Sequence, residues 1–333
     1  MSLAQPIALS LGDPAGIGPE IILKAWRTLK GSGPVFVAVG DFATLARAAG
    51  ADAEIAAVSS VAEVARIFPH ALPVIDMPLA ASVVPGEPSS AVAAAIIGWI
   101  EAGARLAMAG EAAALVTAPI AKAPLYEAGF AFPGHTEFLG ALAPGPGAAR
   151  PVMMLVARDL RCALATIHEP LARVSGLLTA DAIVAAGRIT AAALSVDFAI
   201  PRPRLAVAAL NPHAGEAGEI GEEEETIIAP AVHALQAEGV AASGPHPADS
   251  LFHEAARASY DAVLCMYHDQ ALIPVKMLDF WGGVNVTLGL SIVRTSPDHG
   301  VAFDIAGRGM ARPDSLIASL RLASDIAARR GAG

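Results

Sequence analysis

The chain alternates short, unbroken apolar runs with longer, alanine-rich stretches of helical character. Because the apolar runs are continuous, they are typical of strands that are covered on both faces of a sheet. Strand–helix alternation predicts an α/β fold with much parallel sheet. The predicted strands cover residues 7–11, 35–39, 113–117, 152–156, 162–167, 205–210, 262–267 and 284–288. The predicted helices include residues 91–109, 179–194, 222–238 and 315–328.

Three of the predicted strands are followed at once by a histidine. His168 ends "CALATIH", His213 lies just past "RLAVAALNP", and His268 ends "AVLCMYH". Ligands of open α/β sheets gather outside the carboxyl ends of the strands, so the three imidazoles can converge there. Three imidazoles with open positions left over make a plausible divalent-metal site. Spacings of 45 and 55 residues match no short zinc motif, so three ordinary loop histidines are the alternative.

A second group of residues suits an anion. In "FPGHTEFLGAL", Thr136 is predicted to cap a helix whose free backbone N–H groups would face a ligand. Lys276 and Arg294 add cations, and Asn285 adds a group that can both donate and accept hydrogen bonds. An ordinary capped helix without a ligand, among surface residues, is the alternative.

Two further stretches bear on the type of site. Neither "LSLGDPAGIGPEI" nor "SPDHGVAFDIAGRGMARP" has the GxGxxG spacing of a dinucleotide fingerprint, although Pro19 fits the first turn of a helix.

The acidic run at residues 222–225 opens a predicted helix. Acidic side chains there interact favourably with the helix dipole, which we prefer to a metal or partner site.

Composition narrows the class of protein. Of the 333 residues, 54% are hydrophobic and 16% are charged, and the formal charge is −10, which argues against nucleic acid as the main partner. An anionic small substrate remains compatible with this charge, because a pocket can be basic on an acidic protein.

Cys162 and Cys265 both lie in apolar runs, where core packing is favoured over a disulfide. With no basic leader and no unbroken apolar stretch of about 20 residues, we expect a cytoplasmic protein that is not in a membrane.

Nine motifs in order identify a family. They are "GDPAGIGPE" (12–20), "TAPIAK" (117–122), "PGHTEFL" (133–139), "LNPHAGE" (210–216), "PADSLF" (247–252), "YHDQ" (267–270), "VNVTLGL" (284–290), "RTSPDHG" (294–300) and "DIAGRGMA" (304–311). In these the chain closely resembles, almost from end to end, the PdxA family of 4-hydroxythreonine-4-phosphate dehydrogenases in vitamin B6 biosynthesis.

The resemblance implies roles for particular residues. The expected ligands of one divalent ion per site, zinc, magnesium or cobalt, are His168, His213 and His268. The expected substrate contacts are His135, Thr136, Lys276, Asn285 and Arg294. The family's relatives hold the adenosine half of the cofactor, NAD or NADP, in a loop that matches His299, Gly300, Asp304, Gly307 and Gly309 here. The family is a homodimer with the active site at the subunit interface.

The resemblance also implies the architecture. We expect two α/β/α lobes similar to those of isocitrate and isopropylmalate dehydrogenases, and not a Rossmann fold. The first lobe would cover residues 1–125 and 280–333, the second would cover 126–279, and the active site would lie in the cleft between them.

The implied reaction is metal-dependent oxidation of a secondary alcohol of 4-phosphohydroxy-L-threonine, with hydride transfer to NAD or NADP. The product, 2-amino-3-oxo-4-(phosphooxy)butanoate, is a β-keto acid that decarboxylates to 3-amino-2-oxopropyl phosphate. Lys276, Asp249 and Asp269 are the candidates for relaying the hydroxyl proton. A sister dehydrogenase for phosphorylated threonate or erythronate, or for an aromatic cis-diol, is an alternative. A metal-dependent phosphatase or aldolase is a more distant one.

Overall fold

The chain divides into two units in the computed structural model, which describes residues 5–50, 54–132, 134–145 and 150–331. The first unit comprises Met1–Pro146 and Leu290–Ala328, and the second comprises Gly147–Gly289 and Arg329–Gly333. The divisions after residues 146 and 289 lie further along the chain than the lobe boundaries expected at residues 125 and 280, and a third division follows residue 328.

The regular elements of the described residues are twelve strands and twelve α-helices. The strands are β1 Ile7–Ser10, β2 Phe36–Gly40, β3 Ile55–Ala57, β4 Leu72–Asp76, β5 Leu115–Thr117, β6 Val152–Ala157, β7 Leu160–Leu164, β8 Arg204–Ala208, β9 Ala241–His246, β10 Ala262–Cys265, β11 Val284–Leu288 and β12 Arg294–Pro297. The helices are α1 Gly18–Leu29, α2 Phe42–Ala49, α3 Val64–Ile67, α4 Ala93–Met108, α5 Lys122–Glu127, α6 His135–Leu142, α7 Leu171–Leu177, α8 Ala180–Val196, α9 Ala229–Ala237, α10 Glu254–Arg257, α11 His268–Leu278 and α12 Asp314–Gly331.

The first unit is built on parallel strands in the order β3-β4-β2-β1-β5-β12. In a Rossmann sheet the second strand in sequence pairs with the third. Here β2 pairs with β4 instead, and β3 pairs with the other edge of β4. Helix α4 packs on β1, β2 and β5, which explains why these strands are continuous apolar runs. The strand order agrees with the missing dinucleotide fingerprint.

The second unit mixes parallel and antiparallel strands in the order β11-β6-β7-β10-β8-β9. β6 runs antiparallel to both β11 and β7, and the turn between β6 and β7 passes through Arg158 at φ 52°. β7, β10, β8 and β9 are parallel. Their core contains Leu155, Cys162, Val263 and Cys265, so both cysteines are buried in apolar surroundings, as predicted.

The predicted α/β class is confirmed, and all eight predicted strands are present within a few residues. Four strands were missed. β3 has only three residues, and β4 contains Pro73 and ends in an aspartate. β9 has the sequence AASGPH and β12 has the sequence RTSP, both of which resemble loops. β12 is nevertheless fully buried, because its polar side chains find partners inside the first unit.

One helical stretch of the described chain, Ser90–Met108, is long and apolar enough for a membrane span by length and composition alone. A second candidate arises only if α7 and α8, which meet at 94°, are counted as one broken span. Core helices pass the same test. Ile96, Trp99 and Ile100 of α4 are buried, and α4 packs on the strands of the first unit, so we describe it as a core helix.

Helix α1 illustrates how the core of the first unit satisfies its polar atoms. Pro19 lies in its first turn, as the sequence predicts. Trp26 is 1% exposed, and its indole Nε1 donates a hydrogen bond to the Phe68 carbonyl oxygen at 2.9 Å. A buried carbonyl that loses its donor costs about 1–3 kcal/mol.

We therefore expect Trp26→Phe to lower the free energy of unfolding by about 1–3 kcal/mol. Val196→Ala is the control, because that side chain is 56% exposed and its substitution should change stability by less than about 0.5 kcal/mol. Urea unfolding followed by far-ultraviolet circular dichroism measures both. Equal midpoint shifts in the two variants would contradict the structural role of the Trp26 hydrogen bond.

Candidate active site

Three histidine-bearing loops lie at one edge of the second unit. β7, β10 and β8 are parallel neighbours, so their carboxyl ends meet at the same edge of the sheet. His168 follows β7, His268 is the first residue of α11 after β10, and His213 follows β8. This strand order places the three strand ends side by side, and convergence of all three imidazoles on one point stays a prediction.

His168 and His268 are close to each other. Their ring centroids are 5.5 Å apart with the planes tilted by 42°, and both rings line a cavity of about 310 Å³. His268 Nδ1 lies 2.7 Å from Asp269 Oδ1. Because a carboxylate accepts, Nδ1 is the donor in this contact, and in the neutral tautomer that donates from Nδ1 the other ring nitrogen, Nε2, keeps its lone pair. A carboxylate partner of this kind orients a histidine for metal binding.

His213 lies on a neighbouring, larger cavity of about 560 Å³, which shares the wall residues Leu171, Val174 and Tyr267 with the first. The described residues contain no group of three or more His, Cys, Asp or Glu side chains close enough to hold a metal ion. The structure thus pairs His168 with His268 and places His213 on the neighbouring cavity. A three-histidine metal site stays a prediction.

The backbone that carries His213 is unusual. Residues 213–217 all have positive φ, between 44° and 79°, and form a left-handed turn inside Pro212–Gly218. His168 also has a positive φ, of 47°. For residues other than glycine the left-handed conformation costs roughly 1–2 kcal/mol each. Such strain persists only where the surroundings hold it, and it is concentrated at functional sites.

Two polar side chains, one buried and one partly buried, tie the three strand ends together. Gln270 is 6% exposed; its Oε1 accepts from Met266 N at 2.7 Å, and its Nε2 donates to the Ala209 carbonyl oxygen at 2.7 Å. Thr166 Oγ1 donates to the Met266 carbonyl oxygen at 2.6 Å. Gln270 therefore links the end of β10 to that of β8, and Thr166 links the end of β7 to that of β10.

The other predicted residues of the second unit are distributed around this edge. Asp249 is exposed and lines the cavity of His213, and Asp269 lines that of His268. Lys276 lies on α11 with its Nζ 5.4 Å from the Phe280 ring centroid. Asn285 lies on β11, and its buried Oδ1 has no hydrogen-bond partner among the described residues. A buried amide oxygen without a donor is expected where a ligand supplies the donor.

The predicted substrate residues of the first unit differ in their surroundings. Arg294 on β12 is 1% exposed; burial lowers the pKa of its guanidinium to about 9, and an Nη atom donates to Thr117 Oγ1 at 2.7 Å. The prediction that Thr136 caps a helix is wrong. Gly134 is the N-cap of α6, in an extended conformation with φ −171°, and Thr136 is a buried residue of the first turn. The side chain of His135 lies outside the described structure.

The predicted cofactor loop follows β12 in the first unit. His299, Gly300, Asp304, Gly307 and Gly309 are all exposed. Gly307 and Gly309 have φ near 70°, which explains the glycines at these positions. Helix α1 fixes the loop's far end. Lys24 Nζ donates to the carbonyl oxygens of Gly309 and Ala311, and the carboxylate of Glu20 accepts from their N–H groups.

Sequence reasoning missed the residues that act on the site indirectly. Gln270 stood in the motif "YHDQ" and Thr166 next to the end of a predicted strand, but neither type signals that it bonds to the backbone of another strand. Glu224, in the acidic run at 222–225, is 3% exposed and accepts hydrogen bonds from Leu210 N and Asn211 N. The helix-dipole interpretation of that run therefore does not account for Glu224.

An α/β chain with titratable side chains gathered at the carboxyl edge of parallel strands has the architecture of an enzyme. The chain belongs to the family described as pyridoxal phosphate biosynthetic protein PdxA, whose model matches residues 33–323. It is 64% identical over 331 residues to the 4-hydroxythreonine-4-phosphate dehydrogenase of Caulobacter vibrioides, covering 98% of this chain and 99% of the relative.

Solved structures agree with this membership. The chain is similar to the 4-hydroxythreonine-4-phosphate dehydrogenase of Klebsiella pneumoniae, with a TM-score of 0.86, 40% identity and coverage of 97% of this chain and 100% of that one. It is also similar to a terephthalate 1,2-cis-dihydrodiol dehydrogenase of Burkholderia xenovorans, with a TM-score of 0.64, 30% identity and coverage of 97% and 98%.

Gln270→Leu tests the tie between β10 and β8. The substitution leaves the Met266 N–H and the Ala209 carbonyl without their partner, so we expect a loss of about 2–5 kcal/mol in the free energy of unfolding. Hydrogen exchange at the Met266 amide should also accelerate. Gln236→Leu is the control, because that exposed amide makes one bond, to the Ala242 carbonyl oxygen, which water can replace. An equal loss in both variants would contradict a special role for Gln270.

Proposed function

We infer that the chain is an NAD(P)-dependent dehydrogenase that oxidises 4-phosphohydroxy-L-threonine in vitamin B6 biosynthesis. The observation that carries this inference is the 64% identity to the Caulobacter vibrioides enzyme over nearly the full length of both chains. The alternative of a cis-diol dehydrogenase rests on a likeness at 30% identity. A phosphatase or aldolase has no comparable support.

The reaction moves a hydride from the carbinol carbon to the nicotinamide and a proton from the hydroxyl to the protein. The product is a β-keto acid, 2-amino-3-oxo-4-(phosphooxy)butanoate, which loses carbon dioxide to give 3-amino-2-oxopropyl phosphate. The chain's own contribution is to orient the hydroxyl, to take up its proton and to exclude water, since the nicotinamide carries the hydride chemistry.

We propose that His168, His213 and His268 bind one divalent metal ion. The donor set supports this, because His268 Nδ1 contacts the Asp269 carboxylate, the kind of partner that orients a histidine to bind a metal through Nε2. When bound, the ion lowers the pKa of the substrate hydroxyl and polarises the carbonyl that forms. Imidazole ligands favour zinc or cobalt over magnesium, which prefers oxygen ligands.

Three side chains are proposed as proton relays, and their contacts differ. Asp269 orients His268, so a proton that it took up would weaken that contact. Asp249 is exposed on the cavity of His213. Lys276 lies in the last turn of α11, with its Nζ 5.4 Å from the Phe280 ring centroid. Asp249 is therefore the carboxylate that can accept a proton without disturbing the histidine pair.

The substrate and cofactor contacts are proposals that rest on family membership. In the second unit they are Lys276 and Asn285, whose buried Oδ1 is suited to accept from a ligand. In the first unit they are His135, Thr136 and Arg294, together with the loop from His299 to Gly309 for the nicotinamide cofactor. The expected cytoplasmic location also rests on the family.

We further propose that the chain forms a homodimer. The surface of α11 and the residues after it supports this, because Ile273, Met277, Phe280 and Trp281 are between 51% and 79% exposed. Positions 273 and 277 are four residues apart and lie on one face of α11, and Phe280 and Trp281 follow just after the helix ends at Leu278. A contiguous exposed apolar stripe is typical of a surface that meets another protein.

The proposed substrate predicts a strong preference for the phosphorylated compound. Charge-assisted hydrogen bonds to phosphate contribute about 1.5–3 kcal/mol each, so losing one costs roughly tenfold to hundredfold in kcat/KM. We expect 4-phosphohydroxy-L-threonine to turn over with NAD or NADP while unphosphorylated 4-hydroxythreonine is nearly inert. Thr136→Ala should shrink the preference. The measurement is kcat/KM for both compounds, from the absorbance of the reduced nicotinamide.

A terephthalate-type cis-diol belongs in the same assay. Equal turnover of the two threonine compounds would overturn the phosphate requirement, and faster turnover of the diol would favour the sister dehydrogenase. Release of inorganic phosphate without reduction of the nicotinamide would instead favour a phosphatase.

His213→Ala tests the metal proposal. Removing one of three imidazoles should strip most of the bound divalent metal and abolish activity while the far-ultraviolet spectrum stays unchanged. His233→Ala is the control, because His233 is an exposed residue of α9. Elemental analysis of the purified variants gives the metal content. Full metal content in His213→Ala would refute its assignment as a ligand.

A further inference from the structure

The chain contains a buried carboxylate that the proposed reaction does not use. Glu224 is 3% exposed and begins a π-helical turn, Glu224–Ile228, that continues into α9. Its Oε1 accepts from Leu210 N at 2.8 Å and from Asn211 N at 2.7 Å, and its Oε2 accepts from Asn211 Nδ2 at 2.9 Å. Three donors on the two residues just before Pro212 and His213 therefore bind one carboxylate.

The left-handed turn at residues 213–217 closes around this carboxylate. A Cβ atom added at Gly215 would lie 2.7 Å from Glu224 Oε2 and 2.7 Å from the Gly221 carbonyl oxygen. One added at Gly221 would lie 2.2 Å from Asn211 Nδ2. Gly215 and Gly221 thus leave no room for side chains, because the carboxylate and the Asn211 amide fill the space inside the loop.

The neighbouring glutamates do not share this environment. Glu223 accepts a hydrogen bond from Asn211 Nδ2 at 2.8 Å, and it is partly exposed on the cavity wall. Glu225 is exposed to solvent. The π-helical turn adds one residue to the helical repeat at its start, and such turns are frequent at functional sites.

We propose that Glu224 is a positioning residue that holds the turn of residues 213–217 in its left-handed conformation and so sets the position of the His213 imidazole. The turn is strained, and strain of this kind persists only where surrounding contacts over-determine it. Hydrogen bonds from backbone N–H groups to a carboxylate are among the stronger contacts available for this purpose. The consequence for metal binding rests on the proposed role of His213 as a ligand.

Glu224→Gln tests the proposal. Glutamine has the same shape, but its amide nitrogen cannot accept, so the loop loses at least one of its bonds to this side chain. Glu225→Gln is the matched control, with the same change of charge one residue further on. Hydrogen exchange of the segment 210–217 is measured in the metal-free protein. The Co²⁺ dissociation constant is measured by titration of the same samples.

We expect exchange of this segment to accelerate in Glu224→Gln and Co²⁺ binding to weaken by about 10–100-fold, the usual effect of losing a residue that orients a metal ligand. Glu225→Gln should change neither quantity. If Glu224→Gln fails to fold, Glu224→Asp, which shortens the reach by one methylene, replaces it in both measurements.

Exchange in Glu224→Gln at the rate of the unsubstituted protein would overturn the proposal, as would an equal acceleration in Glu225→Gln. A wrong metal assignment gives a different result. His213→Ala would then bind Co²⁺ as tightly as the unsubstituted protein, while the exchange rates would still decide whether Glu224 holds the turn.

Discussion

The candidate site depends on the need to pair backbone polar groups where the parallel ladders of β7, β10 and β8 end. Beyond the last ladder bond, the N–H and carbonyl groups of the next residues are buried and still require partners. Gln270 supplies two of these bonds, to Met266 and Ala209, and Thr166 supplies a third. Because these side chains reach across strands, the loops that carry His168, His213 and His268 are fixed relative to one another by the same bonds that complete the sheet.

Two of the three histidines reach this edge by different local structures. His268 opens a regular helix and is oriented by its sequence neighbour Asp269. His213 sits in a strained left-handed turn that has no such local support, and its nearest buried anchor, Glu224, is eleven positions further along the chain. Local sequence is sufficient to orient one histidine, whereas the other needs a bond from a different element.

Features that depend on residues close together in the chain could be predicted from the sequence, whereas features that depend on distant residues could not. Continuous apolar runs predicted the central strands, and the histidines that directly follow three of these runs predicted the candidate site. Both patterns can be seen within a few neighbouring residues. β12 escaped detection because its burial depends on tertiary partners such as Thr117 for Arg294. The expected cap at Thr136 was wrong by two residues, because Gly134 adopts the extended conformation of the cap without a side-chain bond. Glu224 and Gln270 were not assigned these roles, since their partners lie on elements that only the fold brings near.

The strand order of the second unit also constrains when this edge of the sheet can form. β10 lies between β7 and β8, although it follows both in the chain, and Thr166 and Met266 are bonded across 100 positions. During synthesis, β7 and β8 therefore lack their shared neighbour until the chain has grown past residue 265. The antiparallel strands β6 and β7 can pair early, because a short turn joins them. β10 can pair with β7 only after the ends of a long loop have been brought together, which costs conformational entropy. The histidine edge thus cannot be complete before β10 has paired with both β7 and β8.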